Sequence, residues 1–187
     1  MTKELKNALI DNYIYEYFLD KHNVITHIDN KTKKEYVEAK FEGGNNAFIS
    51  LGLSEEDNFT PAEVTIDFTD DVLNDPHKLE LAKEFFSSLL SRSYDVEEDP
   101  LQLIEIEDNR FKEVFGKVYY CFIVGNCGDP YTIESNDGET LDYFMLKVVF
   151  FTPEQLNTIF SLADNDPDSI VDYIYDLYDE KGGNLIS

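Results

Sequence analysis

The sequence predicts an α+β fold: a mixed or mostly antiparallel sheet flanked by helices, with two helices at the C-terminal end. Three observations carry this. Only a few segments repeat apolar residues at three- and four-residue spacing. Between them lie short runs rich in β-branched and aromatic residues, punctuated by turn residues. The resulting order is helix, strands, helix, strands, two helices, which is not the strand–helix alternation of a parallel sheet. At 187 residues the chain fits a single domain, 1–187. The acidic segment 94–100 is the place where two lobes would meet.

The elements follow in order. Leu5, Leu9, Tyr13 and Phe18, with Ala8, Ile10, Ile14 and Tyr17, give an amphipathic helix over about residues 3–20. NVITHID, KEYVEAKF and NAFISLGL read as strands, separated by KTKK and by Gly43-Gly44-Asn45-Asn46. EVTIDF alternates, with Val64, Ile66 and Phe68 on one face and Glu63, Thr65 and Asp67 on the other. Asp75-Pro76 supplies an N-cap followed by proline. The helix it opens carries Leu79, Ala82, Phe85, Phe86, Leu89 and Leu90 to about Arg92.

LQLIEIE and KVYYCFIVG read as further strands. Gly125 to Asp142 is a polar connection with a turn at Asn136-Asp137-Gly138. YFMLKVVFF is apolar enough for the centre of a sheet. Thr152, Pro153 and Gln155 form a capping box. The helix behind it should bury Leu156, Ile159, Phe160 and Ala163. Asp166-Pro167 opens the last helix, which runs to about Lys181 before Gly182-Gly183 ends it.

Composition excludes some function classes. Hydrophobic residues are 42% and aromatics 14%, too many for a disordered acidic tail. There are 39 acidic and 15 basic residues, a formal charge of −24. Such a chain repels phosphate backbones and anionic membranes, so neither nucleic acid nor membrane is expected as a partner. Glu4, Asp11, Glu16 and Asp20 interrupt any leader-like apolar run at the N-terminus. Cys121 and Cys127 are too few for a disulfide framework and read as reduced thiols. A cytosolic location is expected.

Catalytic signals are thin. The histidines are His22, His27 and His77, and no nucleophile-elbow, phosphate-loop or dinucleotide pattern is present. Metal spacing of the HExxH or CxxC kind is absent. Asp164 to Asp168 resembles the start of a calcium loop, but Ser169 replaces its glycine and Tyr175 its final glutamate. No catalytic residue, metal or cofactor is therefore assigned. The one enzymatic alternative is a metal-assisted site built from scattered carboxylates.

The charge is unevenly placed. From Val118 to Ser187 there are 13 acidic residues against Lys147 and Lys181. Asp168, Asp172, Asp176 and Glu180 recur every four residues and form one helical stripe. Solubility alone accounts for a high net charge. Like charges at this spacing also weaken their own helix, which points to a second use, docking of a basic protein. The loop carboxylates Glu97, Glu98 and Asp99 are a second candidate contact. Tyr15, Tyr17, Tyr173, Tyr175 and Tyr178 could add contact area or simply complete the core.

The stretch FISLGLSEEDNFTPAEVTIDF carries Gly52-Leu53-Ser54 and then Ala62-Glu63-Val64. DPLQLIEIEDNRF and VVFFTPEQLNTIF follow. In order and spacing these segments resemble the Suppressor of fused family over roughly residues 25–165. That family has a Gly-Met-Ser-like triplet, an Ala-Glu-Leu-like strand start and a final strand running into a threonine-capped helix. Here leucine stands for the methionine and valine for the leucine, and the chain has no tryptophan. The resemblance implies a non-enzymatic protein-binding module. Its bacterial members imply an immunity protein that neutralises a toxin, here a basic, nuclease-like one met by the acidic stripe. The alternative is a phage-type acidic inhibitor that mimics DNA to block a DNA-binding host or defence protein. Without the resemblance, Gly52 reads as a kink ending a strand.

Overall fold

The computed structural model describes residues 1–16, 23–41, 45–53, 61–94, 101–125, 129–180 and 186. Helix α1 (Lys3–Glu16) is followed by strands β1 (Val24–Ile28), β2 (Glu35–Lys40), β3 (Asn45–Leu51) and β4 (Ala62–Thr69). Helices α2 (Asp70–Asn74) and α3 (Pro76–Leu90) come next, then β5 (Ile104–Glu105) and α4 (Asn109–Phe115). Strands β6 (Tyr119–Val124), β7 (Tyr131–Glu134) and β8 (Thr140–Phe151) lead to α5 (Pro153–Asn165) and α6 (Ser169–Glu180). The fold is α+β with a mixed sheet and two C-terminal helices.

Strand order is β1-β2-β3-β4-β8-β6-β5, with β7 also on β8. All ladders are antiparallel except β4 with β8, which pairs Ala62–Thr65 with Phe144–Lys147. β3 occupies one edge of β4 over Thr65–Thr69. On the other edge, beyond the reach of β8, Ile186 bridges Phe68. Its carbonyl accepts from Thr69 N and its N–H donates to Asp67 O. The fully buried Ile186 thus seals the gap where β8 leaves β4.

Successive strand residues point to opposite faces, and helices cover both. Helices α2, α3 and α4 pack on one face around Phe48, Phe68, Phe86, Phe111 and Phe150. The other face carries two separate clusters. In one, Leu5, Leu9 and Tyr13 of α1 lie on Val37, Ile49 and Met145. In the other, Ile159 of α5 and Ile174 and Leu177 of α6 lie on Cys121, Ile123, Val149 and Phe151. Cys121 is fully buried, while Cys127 is outside the described residues.

Local chemistry explains the element ends. Asp75 caps α3 by accepting from His77 N and Lys78 N. Thr152 and Gln155 close the expected capping box on α5. The Asn136-Asp137-Gly138 turn is present, with Gly138 at φ +87°, but it joins two strands. The polar connection contains β7, and β8 begins at Thr140, three residues before the apolar run. Its exposed early residues hid it from an apolarity criterion.

Other expectations need correction. LQLIEIE supplies only the two-residue β5. The next residues form α4 instead, capped by Asp108 and ended by Gly116 at φ +64°. Seven residues with two buried phenylalanines, Phe111 and Phe115, are too short to show periodicity. Helix α2 was equally hidden. The last helix begins at Ser169 rather than Pro167. Residues 17–20, most of 94–100 and Gly182-Gly183 lie outside the described residues.

Candidate functional site

Helix α6 is held by its inner face. Ile174 and Leu177 are buried, and Tyr173, Tyr175 and Tyr178 are half-buried in the same cluster. These three tyrosines finish the core, whereas Tyr15 stands 75% exposed on α1. Tyr175 Oη donates to Val124 O at 3.4 Å, and Tyr178 Oη donates to Asp67 Oδ2 at 3.2 Å. Lys147 Nζ lies 4.9 Å from the centre of the Tyr178 ring.

Asp67 is therefore the polar contact between β4 and α6. Burial pushes its carboxyl up to about 6. The charge of Lys147 and the hydroxyl of Tyr178 pull it only part of the way back. Thr65, one register step away, pairs with Lys147 across the parallel ladder. EVTIDF alternates as expected, yet the second face of β4 is not a solvent face: Glu63 and Thr65 are buried. Helices on both sides of the sheet are the reason.

With the inner face fixed, Asp168, Asp172 and Asp176 are exposed. Asp168 precedes the first turn, and Asp172 and Asp176 follow on the outer side of the helix. Glu180 is the last residue of α6, but its side chain is not among those described. Glu97, Glu98 and Asp99 lie outside the described residues. On the neighbouring helix and turn, Glu154, Asp164 and Asp166 are exposed as well. Residues 148–180 contain no Lys, Arg or His.

Sequence reasoning missed the apolar part of this surface. Phe160 and Ala163 were expected in the buried stripe of α5, but Phe160 is 52% exposed and Ala163 is exposed. Only Gln155, Leu156 and Ile159 of α5 are buried. From Phe160 onward only Leu162 of α5 is even half-buried. Val171 of α6 is 42% exposed. The α5–α6 layer thus offers two apolar side chains and six exposed carboxylates.

The segment that carries the family resemblance also has a geometry. Glu63 is fully buried, and its carboxylate accepts from Ser50 Oγ at 2.5 Å, Gly52 N at 2.9 Å and Leu53 N at 3.3 Å. Gly52 turns the chain at φ +102°, the kink expected of it. The triplet and the strand start are therefore one latch, joining the end of β3 to the start of β4. Ser54 is outside the described residues.

Among the described residues, no group of three or more His, Cys, Asp and Glu side chains is placed to hold a metal ion. No described helix is long and apolar enough to cross a membrane. Comparison with protein-family models, curated proteins and solved structures finds no match. What fold and site define is an α+β chain with helices on both sides of a mixed sheet and an acidic outer helical face.

Proposed function

We propose that this chain is a non-enzymatic, cytosolic protein-binding module. In this reading it is an immunity protein that binds and neutralises a basic, nuclease-like toxin through its α5–α6 face. One observation carries the reading: exposed Phe160 and Val171 share that layer with six exposed carboxylates and no cation. Interfaces combine apolar anchors, which hold the complex, with charges that steer encounter and reject wrong partners. A cationic nucleic-acid cleft is the complementary surface. The resemblance to Suppressor of fused modules supports the same class of function.

The test uses a basic nuclease recovered with the chain, its activity and its association rate. The chain should inhibit that nuclease stoichiometrically. Association should slow steeply as salt rises from about 0.05 to about 0.5 M, because exposed charges are screened within a few ångströms at the upper end. The triple change of Asp168, Asp172 and Asp176 to Asn should slow association at low salt, and Phe160→Ser should speed dissociation. A salt-independent association rate, or inhibition untouched by both variants, would sink the reading.

A further inference from the structure

A cavity of about 500 Å³ opens between α3 and the β5–α4 segment, a volume typical of small-molecule sites. It lies on the opposite side of the sheet from the acidic face. Tyr120 lines it, while the next residue on β6, Cys121, belongs to the α5–α6 cluster. Its floor is core: Leu81, Ile106, Phe111 and Tyr120 are buried. Phe85 stacks among them, with ring centres 4.8 Å from Phe111 and 5.2 Å from Tyr120.

The rim is charged in a selective way. The chain has two arginines, Arg92 and Arg110, and both line this one cavity. Arg110 is spent: its guanidinium binds Asp108 at 2.7 Å and Glu84 at 2.6 Å. Lys31 lies 3.8 Å from the same Glu84, and Glu105 is paired with Lys112 at 2.9 Å. Among the described residues, two lining charges have no ion-pair partner, Arg92 and Glu107. Arg92 makes a single side-chain hydrogen bond, Nη1 to Tyr120 Oη at 2.5 Å, from a group with five donors. Arg92, Glu107 and Tyr120 all line this one cavity.

One cation and one anion above an apolar floor select a ligand with both charges and an apolar body. A plain anion would be repelled by a chain of charge −24. A plain cation would leave Arg92 unanswered. A peptide terminus carries only one of the two charges. We infer that this cavity binds a free apolar α-amino acid as its zwitterion. Its carboxylate lies on Arg92, its ammonium on Glu107, and its side chain on Leu81, Phe85, Ile106 and Phe111. The site is independent of the docking face.

Titration of the whole chain, followed by calorimetry and by amide NMR shifts, tests this. The probes are L-phenylalanine, phenylacetate, which lacks the ammonium, and phenethylamine, which lacks the carboxylate. L-Phenylalanine should bind saturably, with shifts around α3 and α4. Each half-ligand should bind about tenfold or more weakly, the worth of one charge-assisted contact. Glu107 is exposed, so Glu107→Gln keeps the fold; it should weaken L-phenylalanine about tenfold and spare phenylacetate. Arg92→Gln should weaken both. No saturation by L-phenylalanine at about 10 mM, equal binding of phenylacetate, or unchanged binding by Glu107→Gln would overturn the inference.

Discussion

The two faces of one sheet solve the packing problem differently. On the α3 face a single core runs from Tyr36 on β2 to Tyr120 and Phe150 on β6 and β8. Its rings touch in series: Tyr36 with Phe86 at 5.5 Å, Phe86 with Phe48 at 5.6 Å, Phe48 with Phe68 at 4.5 Å. The opposite face uses the alternate residues of the same strands, yet its core is split in two. Thr65, Asp67 and Lys147 belong to neither half. A continuous core makes its helices rise and fall with the sheet, whereas a split core lets each helix unit open by itself. The proposed docking helix therefore sits on the part of the molecule able to adjust without unfolding the rest.

The largest expected effect tests that contrast directly. Phe86→Ala empties the centre of the ring series and should cost about 3–5 kcal/mol. Ile174→Ala, at a site 1% exposed beneath α6, should cost about 2–4 kcal/mol. Amide exchange separates the two. Phe86→Ala should lower protection across the sheet, and Ile174→Ala should lower it mainly in α5 and α6. Uniform loss of protection in the Ile174 variant would break the comparison.

A smaller effect comes from Asp67. Its carboxyl is held at about 6 in the fold, against 3.8 for the free group. Between these values the folded chain keeps a proton that the unfolded chain has lost. Stability linked to Asp67 is thus fully present below pH 3.8 and declines as pH rises through about 6. Asp67→Asn removes that decline and keeps an acceptor for Tyr178. The variant should gain on the wild type by about 2 kcal/mol between about pH 4 and pH 7. Urea midpoints across this range check it. A constant difference between the two proteins would mean that Asp67 does not hold its proton.

Much of this arrangement was legible beforehand, and the illegible parts share a cause. The capping box at Thr152 and the cap at Asp75 depend on residues a few positions apart, so local spacing suffices. The three strands before Leu53 are bounded by turn residues and could be read one by one. Helix α4 and strand β7 could not, because seven and four residues are shorter than the periods that reveal them. The burial of Glu63 depends on the backbone N–H groups of Gly52 and Leu53 across a long connection. The exposure of Phe160 depends on what α5 packs against, which helical spacing alone does not show. Both arginines were visible in the sequence, but only tertiary contact shows them at one cavity.

The smallest expected effect on stability is the sharpest on function. Asp176 lies one helical turn from both Asp172 and Glu180, and α6 has no cation in its last turn. Asp176→Lys turns two repulsive neighbours into two attractive ones, a gain of about 0.5–1 kcal/mol for the helix. The same change places a positive charge at the centre of the proposed dock. It should slow association with a basic partner more than any single neutral substitution, while raising the unfolding midpoint slightly. Stability and binding moving in opposite directions would show that the stripe is maintained for a partner. A variant that is more stable and binds equally well would reduce the stripe to a solvated surface.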